Sequence, residues 1–161
     1  MDTKLLFDFT ETDPLYEIVM KTAVDHIRNP DKGSEFEDKT KQIRGLPDSQ
    51  LLGIIKENEY DVLIGYESDG IRGYFAYQKQ ENDLHVFRVY TAENYRRQPR
   101  IVLQLAEEFL SFARRQEIDR VRIGAGNHKT VNTLIRILSR REEQLGIKVD
   151  TKENWIKLIY S

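Results

Sequence analysis

Apolar positions recur along the chain with two periods, and the switches between them outline its elements. Residues 4–9 read as a short strand. Over 14–27, Leu15, Ile18, Val19, Val24 and Ile27 recur at helical spacing, with Pro14 suited to a first turn. Residues 49–58 predict a shorter helix burying Leu51, Leu52, Ile54 and Ile55. Strand patterns follow at 61–66, 71–80 and 84–91, divided by the turn sequences Ser68-Asp69-Gly70 and Glu81-Asn82-Asp83, and together predict an antiparallel meander. In the last of them alternation assigns His85, Phe87, Val89 and Thr91 to one face and Leu84, Val86, Arg88 and Tyr90 to the other.

A long helix is predicted from Pro99 to about Gln116, where Val102, Leu105, Ala106, Phe109, Leu110 and Ala113 make one broad stripe. Residues 118–123 form a strand pattern, Gly124-Ala125-Gly126 a turn, and Asn127 or Thr130 an N-cap. The next helix runs to about Leu145 and stops at Gly146; short strand patterns close the sequence at 147–149 and 155–160. The stretch 29–50, with Pro30 and Pro47, reads as a loop or broken helix.

A strand–helix–strand unit over 84–123 inside an otherwise antiparallel set implies an α/β fold. Its sheet is mixed and mostly antiparallel, with helices on both faces. At 161 residues, a single domain spanning 1–161 is expected. Apolar residues at 39% lift the chain above the disordered regime, and the absence of cysteine excludes disulfides, thiolate metal sites and a cysteine nucleophile. Three scattered histidines, His26, His85 and His128, argue against a histidine-rich metal centre, so no metal is expected. The charged start Met1-Asp2-Thr3-Lys4 is no signal peptide, and no apolar run is long enough to span a membrane. A soluble, cytoplasmic protein is expected.

Charge changes the picture more than composition. Residues 1–83 carry 10 Lys and Arg against 18 Asp and Glu, a balance of −8, whereas 84–161 carry 15 against 9, a balance of +6. Such a division points either to an anionic ligand on one face or to complementary packed surfaces.

The element order resembles that of the GNAT acyltransferases over nearly the whole chain, most closely from Leu84 to Ile147. The residues that carry it are the stretch Val89-Tyr90-Thr91-Ala92-Glu93-Asn94-Tyr95-Arg96-Arg97-Gln98-Pro99-Arg100-Ile101, leading from strand to long helix, and Ile123-Gly124-Ala125-Gly126-Asn127 before the helix containing Asn132. The resemblance implies a GNAT fold and transfer of an acetyl or other acyl group from acyl-CoA to an amine. It implies that backbone groups of Val89 and Thr91 hold the pantetheine arm, that Arg96, Arg97, Arg100 and Ile101 take the pyrophosphate, and that Asn127 belongs to the cofactor site. Helix N-termini suit such anions, since their N–H groups and dipole face outward. Here Arg97, Pro99 and Ile101 stand where the family has glycine or small residues, so arginine charge substitutes for backbone donors. The phenol that many family members carry in the later helix corresponds to Ser139 or Leu134, neither of them an acid.

Among ionisable residues, His85 is the candidate base, because a neutral imidazole can take the proton of an attacking amine. Its alternative is a partly exposed strand histidine. Arg88, flanked by apolar residues on a central strand, either lines a substrate cleft or pairs with an acid of the first half. Asn127 reads equally as a helix cap, Trp155 as core or interface, and Arg136, Arg140, Arg141, Glu142 and Glu143 as a solvated helix face. The acidic first half suits a cationic acceptor such as a polyamine, a lysine side chain or an aminoglycoside. The sequence is compatible with a homodimer, while a pI near 6.0 argues against nucleic acid. The leading expectation is an acyl-CoA-dependent N-acyltransferase; the alternative is a catalytically degenerate binding or regulatory protein of the same fold.

Overall fold

Alternation is strongest in the meander, and there the strands are longest. In the computed structural model, which describes residues 1–30, 35–93, 98–124 and 128–160, β2 (Tyr60–Glu67), β3 (Gly70–Gln80) and β4 (Asp83–Thr91) pair antiparallel in sequence order. Before them come β1 (Asp2–Leu5), α1 (Tyr16–Arg28), α2 (Glu35–Thr40) and α3 (Asp48–Glu57). After them come α4 (Pro99–Arg115), β5 (Arg120–Ile123), α5 (His128–Ser139), α6 (Glu142–Leu145), β6 (Ile147–Asp150) and β7 (Trp155–Leu158). Among the described residues seven strands form one sheet, β1-β2-β3-β4-β5-β7-β6, in which β4 and β5 pair parallel and the other neighbours antiparallel. This is the mixed, mostly antiparallel sheet that the pattern implies.

Two cores sandwich the sheet. On one face, Leu105, Phe109 and Ala113 of α4 and Leu134 and Leu138 of α5 pack on Phe75, Val86, Val121 and Ile156. On the other, Val19 and Ala23 of α1 meet Val62, Ile64, Tyr74 and Ala76, while Val24 and Ile27 of α1 join Leu51 and Ile55 of α3. The two sides of β2 and β3 thus feed separate cores, as period-2 alternation requires.

Three expectations are corrected. The first strand ends at Leu5, not Phe9, because Leu6 and Phe9 are both buried on one side and a 3-10 turn over Leu6–Asp8 brings them there. The helix predicted to run on to Leu145 breaks after Ser139. Amide bonds from Arg140 to Ile137 and from Arg141 to Leu138 tighten its end, and α6 is held apart by the Val149 N–H donating to the Glu142 carboxylate at 2.9 Å. Arg114 of α4 clamps the following turn, donating to the carbonyls of Leu145, Gly146 and Ile159. Finally, the face assignment within β4 fails after Phe87. Arg88 pairs with Ala76 but Val86 pairs with Tyr77, so Phe87 is an extra residue, a β-bulge. The bulge reverses the alternation beyond it: Val89 joins Leu84 and Val86 on the α4 side, and Arg88 and Tyr90 join Phe87 on the α1 side.

Gly73 lets β3 approach β4 where the bulged strand ends. A Cβ there would lie 2.6 Å from the Tyr90 carbonyl oxygen, which is backbone and cannot swing aside, whereas at Gly65 the obstacle is the flexible Met1 Sδ at 2.7 Å. Gly73→Ala is therefore expected to cost about 2 kcal/mol or more, and Gly65→Ala under about 1 kcal/mol, in urea unfolding of the two variants.

Candidate active site

The bulge and the end of the parallel pairing fall next to each other on β4. β4 and β5 share the register Asp83–Arg120, Leu84–Val121, His85–Arg122 and Val86–Ile123, and the Gly124 N–H closes it with a 2.8 Å bond to the Val86 carbonyl. Beyond Val86, β4 continues to Thr91 against β3, while its pairing with β5 ends. The Ala92 N–H donates to the Arg72 carbonyl on the β3 side. Main-chain groups alternate along a strand, so those of Val89 and Thr91 turn the opposite way, away from β3. Both residues are buried.

The start of α4 is the other wall that the sequence singles out. Pro99 occupies its first position and supplies no N–H. The Ile101 N–H is already engaged with the Gln98 carbonyl at 3.1 Å, leaving the exposed Arg100 side chain as the cationic group of this turn. Arg96, Arg97 and Asn127 lie outside the described residues. His85 sits in the still-paired part of β4, its ring edge-on to Trp155 at 5.5 Å and its neighbour across the register Arg122. Trp155 in turn carries the Arg120 guanidinium 4.1 Å from its ring centre. Leu134 is core and the Ser139 hydroxyl donates to the Arg136 carbonyl. Among the described residues no group of three or more His, Asp or Glu could hold a metal ion. No helix of the described residues is long and apolar enough to cross a membrane.

On the α1 side of β3 and β4 lies a cavity of about 400 Å³. Its floor is Tyr74, Arg88 and Tyr90; its wall includes Asp25, His26 and Asn29 at the end of α1. An Arg88 terminal nitrogen (Nη1) donates to His26 Nδ1 at 2.6 Å and approaches the Asn29 carbonyl at 3.4 Å, and the guanidinium lies 5.9 Å from the ring centres of both tyrosines. The two rings stack at 4.8 Å, and His26 stacks on Phe87, the bulged residue, at 5.5 Å. Burial, reinforced by the Arg88 charge, pushes the His26 imidazole down to about 3. It is therefore neutral at physiological pH, accepting at Nδ1 and holding its proton on Nε2. Arg88 lines this cavity, as one of its two sequence alternatives has it line a cleft. The histidine partner went unforeseen, and the oddity of an arginine amid apolar strand residues was its only signal.

A second recess, about 310 Å³, lies by the opposite end of β4, lined by Tyr60, Asp61, Tyr77, Leu84 and Phe112. Burial raises the Asp61 carboxyl to about 6, with the Asp8 charge adding to it, and burial likewise raises the Tyr77 phenol.

No family model matches the sequence, and no curated protein does. Solved structures do. The chain is similar to the PaiA N-acetyltransferase of Thermoplasma acidophilum, solved in complex with coenzyme A, at 14% identity, covering 99% of this chain and 100% of that one with a TM-score of 0.52. An acetyltransferase from Streptococcus agalactiae matches at 17% identity over 98% of both chains, TM-score 0.52. A ribosomal-protein-alanine N-acetyltransferase from Brucella melitensis matches at 17% identity over 85% and 82%, TM-score 0.52. The fold is that of the GNAT acyl-CoA N-acyltransferases, reached at low sequence identity.

His26 and Asp61 give stability opposite pH slopes. The unfolded chain binds more protons at His26 between pH 6.5 and about 3, so stability falls as pH drops through that window. The folded chain binds more at Asp61 between about 4 and 6, so there acid stabilises. Asp61→Asn is expected to lose stability on acidification from pH 6 to 4 more steeply than wild type, by up to about 1 kcal/mol per pH unit. Urea unfolding across that range checks it.

Proposed function

We propose that this chain, as one domain over 1–161, is a divergent GNAT-type N-acyltransferase, moving an acetyl or other acyl group from acyl-CoA to an amine. The observation that carries this reading is the end of the β4–β5 pairing at Val86 while β4 runs on to Thr91 along β3. The likeness to a coenzyme A-bound acetyltransferase supports it.

The residues present fit acyl-CoA in one half of the site more closely than in the other. Val89 and Thr91 offer the alternating amide edge that an extended pantetheine arm can pair with, as an added strand would. At α4, backbone donors are depleted by Pro99 and by the Ile101–Gln98 bond, so the pyrophosphate grip falls to Arg100 with Arg96 and Arg97. When bound, acyl-CoA supplies an activated thioester carbonyl. The protein's own task is to hold the acceptor amine beside it, exclude water and remove the amine proton. His85, one residue before the end of the β4–β5 pairing, is the proposed base. The acidic first half supplies the attraction for a protonated amine.

A second reading, a binding or regulatory protein of this fold without turnover, is favoured by the absence of a phenol at Leu134 and Ser139 and by Pro99. Thiol release from acetyl-CoA in the presence of amine separates the two.

Acetyl-CoA and free CoA are expected to raise the melting temperature at concentrations where inorganic phosphate does not. Alanine at both Arg97 and Arg100 should weaken CoA binding roughly tenfold or more, as expected for losing charge-assisted bonds, by calorimetric titration; unchanged affinity would sink the pyrophosphate assignment. His85→Gln should lower kcat at least about a hundredfold at pH 7 with CoA affinity intact, and equal kcat would remove His85 from the chemistry.

A further inference from the structure

Alternation along β2 sets Asp61 on the same face as Leu63, the face that α4 covers, so an acid stands where the core otherwise takes apolar side chains. Tyr77 of β3 is directly opposite it in the register, and both line the recess of about 310 Å³ with Phe7, Leu84 and Phe112. Tyr77 is only 5% exposed, its ring packed on Phe109 and Phe112 at 5.3 and 5.8 Å. A phenol so buried ordinarily finds a partner, yet this hydroxyl has no hydrogen bond among the described residues. Unpartnered but not sealed from solvent, it opens into the recess.

Asp61 lacks a counter-charge in the same way. Its Oδ1 accepts the Val62 N–H at 2.7 Å and the Leu6 amide supports it, but it forms no ion pair among the described residues. Asp8 adds repulsion, and Glu59 and Lys79 stand at the exposed rim. Lys56 acts on the carboxyl more weakly than Asp8 does, its Nζ lying 5.6 Å from the Phe7 ring centre. Burial holds the carboxyl up at about 6, so it is mostly ionised at neutral pH. A carboxylate and a phenol oxygen side by side are acceptors, and an ammonium group brings three N–H donors together with the positive charge. An anion would instead meet Asp61, Asp8 and Glu59. The volume is at the low end for ligand sites, enough for one ring or a short chain against the apolar wall.

We propose that this recess is a second ligand site, one that takes a small molecule carrying an ammonium group on a compact apolar body. The ammonium donates to the Asp61 carboxylate and the Tyr77 hydroxyl oxygen, and the apolar part lies against Phe7, Leu84 and Phe112. The recess opens at the Leu84 end of β4, by the end of α4, whereas Val89, Thr91 and the start of α4 lie at the other end. Its occupant is therefore bound without being acylated, and the site stands whether or not the chain transfers acyl groups.

The test uses the full chain near neutral pH and two sets of probes, each of one shape: benzylamine with benzyl alcohol and benzoate, and butylamine with butanol and butyrate. Calorimetric titration gives affinities, and melting curves report folding. At least one amine should bind saturably, about tenfold or more tightly than its own alcohol and acid. Asp61→Asn, which keeps the shape and an acceptor for the Val62 N–H, should erase that advantage by weakening the amine about tenfold while leaving the alcohol unchanged. Tyr77→Phe should weaken the amine about threefold or more. Having no protein hydrogen bond to lose, it should melt as wild type does. Free CoA should leave amine affinity as it is. No saturable binding by either amine, alcohols or acids bound as well as amines, or competition between amine and CoA would each overturn the proposal. So would unchanged amine affinity in Tyr77→Phe or in a folded Asp61→Asn. Failure to bind CoA would overturn the acyltransferase reading and leave this site standing.

Discussion

One strand has to satisfy two neighbours of different length, and the rest of the site follows from that. β4 is paired with β3 to Thr91, yet with its parallel neighbour β5 only as far as Val86. A regular strand that ran on alone beyond Val86 would send Val89 and Thr91 to the α1 side and Arg88 into the apolar core under α4. The extra residue at Phe87 prevents this. It keeps the apolar side chains of β4 in the larger core on both sides of the kink and sends a charged side chain to the polar side. The burial of Val89 in the larger core and the charged cavity beneath α1 are therefore two results of one irregularity.

The histidine–arginine pair shows how such a charge is kept. Two cations cannot share this site, and burial decides between them: the imidazole gives up its proton because it lies deeper, and becomes an acceptor for the guanidinium. The aromatic groups complete the arrangement, with Tyr74 and Tyr90 stacked below the arginine and Phe87 stacked on the histidine. The members come from α1, β3 and β4, so the site depends on α1 being docked on the sheet through Val19 and Ala23.

Much of the architecture is legible from periodicity because the meander and α4 bury wide, regular faces. Leu105, Phe109 and Ala113 return to one side of a helix at intervals of four, and nothing in the tertiary structure competes with that. Where the reading slipped, a nonlocal contact had won. The last helix breaks where Glu142 reaches Val149 and Arg114 reaches the carbonyls of Leu145 and Gly146. The bulge has no composition of its own, since Phe87 and Arg88 suit a regular strand equally well. At the site, Val89 and Thr91 enter through the family resemblance alone, and the partnership of Arg88 with His26, 62 residues away, has no sequence pattern of its own. The arginines beside α4 stood out as a cluster, but the engagement of the Ile101 amide appears only in three dimensions.

The strand order has a consequence for the nascent chain. β7 lies between β5 and β6, yet it is synthesised after both. Until residues 155–158 emerge, β5 has β4 as its only sheet neighbour, held through a register that spans no more than Asp83–Arg120 to Val86–Ile123. Insertion of β7 supplies a second rail for β5, through Lys157, Ile156 and Trp155. The β5 half of the sheet can thus close only late in synthesis, when the meander has long been complete.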